Sequence, residues 1–479
     1  MGPKGLLPSG DAWSVKKALK KALKKDSFVI KGDFYWCAQD RSLTAVRNAC
    51  CVVINGVTQG VYSDIPADAY GLKVMDYSGK MIIPGLADLH LHASQYRNRG
   101  VGMGEELLQW LSDYTFPEEK RFEDPGYAAE IYQKFADDLR RSPTTRAAIF
   151  ATIHTDTTLL LMKLLEKTGL LCYVGKVNMD RNSPGNYIET TAKSLSETRR
   201  FLKEAEGRFE NIQPILTPRF VPACSDELMK GLGEIQKESG LPVQSHLSEN
   251  RNEIRWVKEL CPDAAFYGDA YDRFGLFGRG CPTIMAHCVS SSDEEIERIA
   301  RNGVFIAHCP NSNMNLRSGI APIRRYMNRG LHVGLGTDIA AGHSLSLFDE
   351  MISAVQASKM RWRYVEDEPE NTPALTMTDA FYLATRGGGE FFGNVGAFEK
   401  GYEFDALILD DTGLRAAGEE RYDTGLRAAG EDRYDTGLRA AGEDRQMQND
   451  EIRLERALYR HSECRMIGKY AAGSEISLR

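Results

Sequence analysis

Between Met81 and about Arg386, eight apolar segments alternate with amphipathic stretches. The segments are IIPGLADLHLH, AAIFATIH, LCYVGKV, IQPILTPRF, VQSHLS, TIMAHCV, VFIAHCPNS and LHVGLGTD, and Ser225–Ser239 and Ser291–Asn302 show helical spacing between them. Strands that are apolar on both faces and separated by helices build parallel sheets, because the helices cover both faces. Eight such units predict an α/β fold of the TIM type, a closed (β/α)8 barrel. An open doubly wound sheet is the alternative, but it gives no reason for polar residues at so many strand ends. Those residues are His90, His92, His154, Arg219, His246, His287, His308 and Asp338. A barrel of this kind places its active site at the C-terminal ends of its strands.

The flanks read differently. From Ser27 to Asp76 short strands are punctuated by turn pairs such as Asn55-Gly56 and Ser78-Gly79. Strand character returns near Gly396, in VGAFEKGYEFDALILDD, and the chain ends in a helix and a closing strand pair. The expected organisation is a barrel over 79–395 and a smaller β-sandwich domain built from both chain ends, 27–78 and 396–479. Within the latter, residues 411–445 hold three near-identical copies of a 12-residue unit, DTGLRAAGEERY, DTGLRAAGEDRY and DTGLRAAGEDR. That period is too short for helical solenoid repeats, and the copies read as a tolerated loop insertion. Residues 1–26 form a Lys-rich tail, with Trp13, Val15, Leu19 and Leu23 among six lysines from Lys16 to Lys25. It reads as a solvated tail, with a surface-binding amphipathic helix as the alternative.

Composition narrows the function classes. A net charge of −7 argues against a general nucleic-acid binder. No apolar run approaches the roughly 18 residues needed for a membrane span. Ten scattered cysteines with no CxxC pair, and no secretory signal, point to free thiols in a reducing cytoplasm.

His90 and His92 are one residue apart, so on a strand both imidazoles face the same side and can reach one metal ion. A lone HxH is a weak signal. With His246, His287 and Asp338 at other strand ends it becomes a mixed nitrogen and oxygen set suited to zinc. Taken singly, each residue also reads as structural: strand-end histidines are often satisfied core groups, and Asp338 in GTD can cap a helix. Glu249 follows His246 by three residues, at the expected barrel mouth. A carboxylate there can carry a proton between an activated water and a substrate nitrogen, or can simply start the next helix.

The order PGLADLHLH, SHLSEN, AHCV, HCPNSN and GTD resembles the amidohydrolase superfamily. Within it, HASQY, LLQWLSDYTFPEEKRF, TPRFVPACS and SHLSENRNEI resemble the guanine deaminase family, over roughly Ser27 to Asp410. The resemblance implies one zinc ion per chain on His90, His92, His246 and Asp338. It implies His287 as a catalytic histidine holding water, Glu249 and Asp338 as proton shuttles, and Gln95, Arg219 and Phe220 as purine contacts. It implies guanine as substrate, xanthine and ammonia as products, and a homodimer. Arg219 can donate to the purine carbonyl, Gln95 both donates and accepts, and Phe220 can stack on the ring. The bland alternatives are a rim salt bridge for Arg219, a loop hydrogen bond for Gln95 and core packing for Phe220. Deamination of another heterocycle, such as a pterin or triazine, is the runner-up, and a barrel scaffold without catalysis is the reading from another class. His154, His308, His332 and His343 are not expected to be ligands, and the repeats do not resemble the family pattern.

Overall fold

The structure is a computed structural model that describes residues 26–366, 372–414 and 437–479. The Lys-rich tail and the greater part of the repeats lie outside the described residues. No helix among the described residues is long and apolar enough to cross a membrane.

The chain opens with strands β1 (Phe28–Cys37), β2 (Leu43–Ile54), β3 (Val57–Tyr62) and β4 (Lys73–Pro84). Asn55 and Gly56 form the turn between β2 and β3, both with positive φ, as a two-residue hairpin of matching twist requires. Ser78-Gly79, expected to end a strand, does not. β4 runs through it, and Gly79 at φ 76° absorbs an irregularity where the pairing jumps from Lys31 with Asp76 to Asp33 with Met81.

The segment IIPGLADLHLH is divided between two sheets. Met81 to Pro84 stays in β4, and β5 (Leu86–His92) starts a parallel sheet. Gly85 is the crossing point. Its N–H donates to the Asp405 carbonyl (3.1 Å), and a Cβ there would lie 2.4 Å from the Thr145 side chain. Gly85→Ala is therefore expected to destabilise the protein by about 1–3 kcal/mol, the usual cost of overpacking. Denaturant unfolding of the purified variant checks this, and unchanged stability would mean that the two sheets yield easily at their junction.

The remaining segments form β6 (Thr144–Phe150), β7 (Leu171–Gly175), β8 (Val177–Asn178), β9 (Ile212–Pro214), β10 (Thr217–Pro218), β11 (Val243–Leu247), β12 (Thr283–His287), β13 (Phe305–His308) and β14 (His332–Leu335). They make two four-stranded parallel sheets, β5-β6-β7-β9 and β11-β12-β13-β14, with β8 and β10 paired beside them. At one seam Leu216 bridges Val243 in parallel. At the other, Asp338 N–H donates to the His90 carbonyl and His92 N–H to that of Ile339, both at 2.8 Å. Helices such as Pro125–Arg141, Asp226–Ser239 and Asp293–Asn302 alternate with the strands. Ser225 and Ser292 cap the last two through their side chains, which fixes where each helix starts.

The chain finishes with β15 (Ala406–Asp410), a helix Gly437–Tyr459, β16 (Arg465–Ala471) and β17 (Ser474–Glu475). These strands join the opening ones in a seven-stranded mixed sheet, β17-β16-β15-β4-β1-β2-β3. Phe28, Phe34, Phe398, Phe404 and Tyr470 form an aromatic core on it, with edge-on contacts such as Phe34 to Phe398 at 5.3 Å between centroids. Arg146 of β6 reaches Asp405 through two hydrogen bonds (2.8 and 2.9 Å), and both are buried. This charge-assisted fork ties the parallel strands to the sheet of the chain ends.

Candidate active site

The C-terminal ends of β5, β11, β12 and β14 bring one cluster together. His90 Nε2 lies 3.3 Å from His92 Nε2, which lies 3.3 Å from His246 Nε2. Asp338 Oδ1 lies 3.2 Å from His90 Nε2 and 3.5 Å from His92 Nε2. His90, His246 and His287 also converge closely enough to share an ion. Burial pushes the pKa of His90, His92 and His246 well below the usual histidine value, so these imidazoles are neutral. His246 donates through Nδ1 to the Arg219 carbonyl (2.6 Å), which leaves its Nε2 as a lone pair. Three neutral imidazoles that turn Nε2 to one point, beside a carboxylate, with Nδ1 of His90 and His92 left without a partner among the described residues, form a donor set that fits a divalent cation.

Two buried supports fix this geometry. Asp88 accepts hydrogen bonds from Thr337 N–H (3.0 Å), the Thr337 hydroxyl (2.6 Å) and His90 N–H (3.2 Å), locking β5 to the turn that carries Asp338. His287 uses Nδ1 toward Asn313 Oδ1 (2.9 Å) and turns Nε2 inward, 3.5 Å from Glu249 and 3.9 Å from Asp338, without a hydrogen-bond partner among the described residues. Ser248, His287 and Asp338 all adopt positive φ where their strands end. Such backbone costs of order 1–3 kcal/mol each and gathers at functional sites.

Glu249 is buried, unlike the surface carboxylate that would merely start the next helix. That helix, Arg251–Leu260, is capped by Asn250 and Glu253 instead. Glu249 accepts from the Ser318 hydroxyl (3.0 Å), and burial first, then the charge of Asp338, raise its pKa. A carboxyl group so placed holds a proton more readily than one in water.

A pocket opens above the cluster, lined by Gln95, Arg219, Phe220 and Glu249. Leu107, Trp110 and Leu111 supply its apolar wall. Phe220 sits with its ring 6.4 Å from that of His246, steeply inclined to it. All nine sequence-derived site residues thus meet in one place. Arg219 does form a salt bridge, but inside the pocket, to the buried Glu119. Glu119, Asp88 and Asn313 also belong to the site, beyond the residues expected from sequence. All three lie in family-like motifs, Glu119 in LLQWLSDYTFPEEKRF, Asp88 in PGLADLHLH and Asn313 in HCPNSN, so a signal was present. Of the other histidines, His308 is buried at the end of β13, His332 and His343 are exposed, and His154 precedes a helix.

Parallel strands ending in a buried histidine–aspartate cluster, under a buried glutamate, define a metal-dependent hydrolase. Residues 81–429 match the amidohydrolase family model, and the chain belongs to that family. It is 42% identical over 343 residues to the guanine deaminase of Dictyostelium discoideum, covering 71% of this chain and 75% of that one. The guanine deaminase of Homo sapiens is 41% identical over 336 residues, 69% of this chain and 73% of that protein. Among solved structures, guanine deaminase from C. acetobutylicum with bound guanine in the active site superposes with a TM-score of 0.83 at 43% identity, covering 94% of this chain and 100% of that one.

Proposed function

We propose that this chain is a guanine deaminase that hydrolyses guanine to xanthine and ammonia with one zinc ion. The observation that carries the reading is the meeting of two sets in one cavity: the donor pair Arg219 and Gln95, and the cluster with Glu249 beside it. In this reading His90, His92, His246 and Asp338 hold the zinc. The two parallel sheets are halves of one closed (β/α)8 barrel over 79–395, joined at the Leu216–Val243 and His90–Asp338 seams. The seven-stranded sheet of 27–78 and 396–479 is the β-sandwich domain packed on it, with apolar residues buried on both of its faces. A cytoplasmic homodimer belongs to the same family reading.

When bound, zinc supplies a water acidic enough to ionise near neutral pH. His287 holds the attacking water through its inward Nε2. Asp338 accepts a proton from that water as its oxygen adds to the carbon bearing the amine. Glu249 delivers a proton to the adjacent ring nitrogen. Asp338 passes the proton it took to the amine, ammonia leaves, and the added hydroxyl returns a proton to Glu249 as the carbon becomes the second carbonyl of xanthine. Phe220 packs on the purine, and Arg219 and Gln95 hold its carbonyl. Deamination of a pterin or triazine would need the same cluster; the donor pair and the relatives favour guanine. A non-catalytic scaffold would have lost a ligand, and every residue of the set is present.

Arg219→Lys is expected to lower kcat/KM for guanine by roughly 10²-fold with zinc content unchanged. A planar fork of donors is replaced by one flexible ammonium, and a buried carbonyl left unpaired is rejected strongly. Adenine, with an amine where guanine has its carbonyl, should be a poor substrate of the unmodified enzyme. Steady-state kinetics on both purines test this; equal turnover of adenine and guanine would sink the assignment.

A further inference from the structure

We infer that Glu119 is the positioning residue that makes the substrate-reading edge of this pocket a set of donors, and so sets its preference for a purine that carries a 6-oxo group. The inference rests on the guanine reading above. Glu119 lies on the short helix Phe116–Lys120 and is fully buried. Its carboxylate accepts from Arg219 Nη1 (2.5 Å) and Nη2 (3.2 Å), Gln95 Nε2 (3.0 Å), the Tyr187 hydroxyl (3.0 Å) and, at 3.5 Å, the Ser94 hydroxyl. Ionised carboxylates only accept, and these donors supply what its two oxygens can take.

The consequence falls on Gln95. Its Nε2 is committed to Glu119, while its Oε1 accepts from Ala340 N–H at 3.2 Å. Glu119 cannot donate and Ala340 N–H cannot accept, so the amide has one orientation. The second N–H of Gln95 then remains as a donor. Arg219 likewise spends two of its five N–H groups on Glu119, and all the rest are donors. Its guanidinium also lies 5.0 Å above the Phe116 ring, on the same short helix, which holds its plane. A carbonyl oxygen is matched by this edge, and an exocyclic amine is not. Tyr187 reaches Glu119 from a loop that a buried ion pair secures, Lys176 to Glu189 at 2.6 Å.

Glu119→Gln, which keeps the shape, would present an N–H to this ring of donors and release Gln95 to turn its oxygen into the pocket. The test compares guanine with 2-aminopurine, which bears the same amine and no carbonyl. For guanine, kcat/KM should fall on the order of 10²-fold, chiefly through KM, as expected when a positioned donor to a substrate group is lost. For 2-aminopurine it should change less than about threefold, because the lost donors have no carbonyl to meet. Zinc content should be unchanged, and Glu119→Asp should restore part of the guanine preference. Should Glu119→Gln fail to fold, Tyr187→Phe removes one of the hydrogen bonds and should shift the guanine to 2-aminopurine ratio in the same direction. A ratio that stays constant, whether both substrates fall together or neither falls, overturns the inference. An unmodified protein that ignores guanine overturns the reading of function, and this inference with it.

Discussion

Replacing Glu249 by Gln is expected to leave zinc bound and to lower guanine turnover by about 10²–10⁴-fold, the usual worth of a positioned general acid or base. The carboxyl group is buried 3.5 Å from His287 Nε2 and is anchored by Ser318. Burial and the neighbouring Asp338 make its proton easier to hold, which suits a group that must deliver one to a ring nitrogen. The amide keeps the size and the Ser318 contact but cannot shuttle a proton. Glu249 is not among the four proposed ligands, so metal content separates the two roles. Near-normal turnover in a zinc-replete variant would remove Glu249 from the chemistry.

His246→Ala should have a larger effect, abolishing both metal binding and turnover. The outer partners of ligands alone are worth roughly 10–100-fold in metal affinity, and His246 is the proposed ligand that the Arg219 carbonyl orients. His308→Ala is the control. His308 is also a buried strand-end histidine, two strands further along the same sheet, but it is outside the proposed set. Metal analysis of both variants checks the assignment. Equal metal content in the two would contradict the ligand set.

The gathering of these residues was legible because strand ends and candidate ligands coincide in the sequence. An HxH on an apolar strand, and histidines at or next to the end of VQSHL and TIMAH, carry their own geometric meaning. The alternation of apolar strands and helices likewise announced parallel sheets. Long-range partners were less legible. Glu119 meets Arg219 across 100 positions, and Asp88 meets Thr337 across 249. Local spacing says nothing about such pairs, because they depend on how separate strands and helices pack. Gly85 illustrates a middle case. The sequence marks a break at Pro84-Gly85, but only packing against Thr145 and Asp405 reveals that the strand changes sheets there. Ser78-Gly79 misled because a glycine can serve a bulge as readily as a turn.

Hydrolytic, zinc-dependent deamination of guanine is proposed for the His90–His92–His246–Asp338 cluster. Its most direct test follows xanthine and ammonia released from guanine by the purified protein as isolated, after chelation, and after zinc is restored. The expected result is equal amounts of the two products, loss of both on chelation, and their return with zinc. A zinc-loaded, folded protein that leaves guanine unchanged, or one whose turnover survives complete removal of metal, would contradict it.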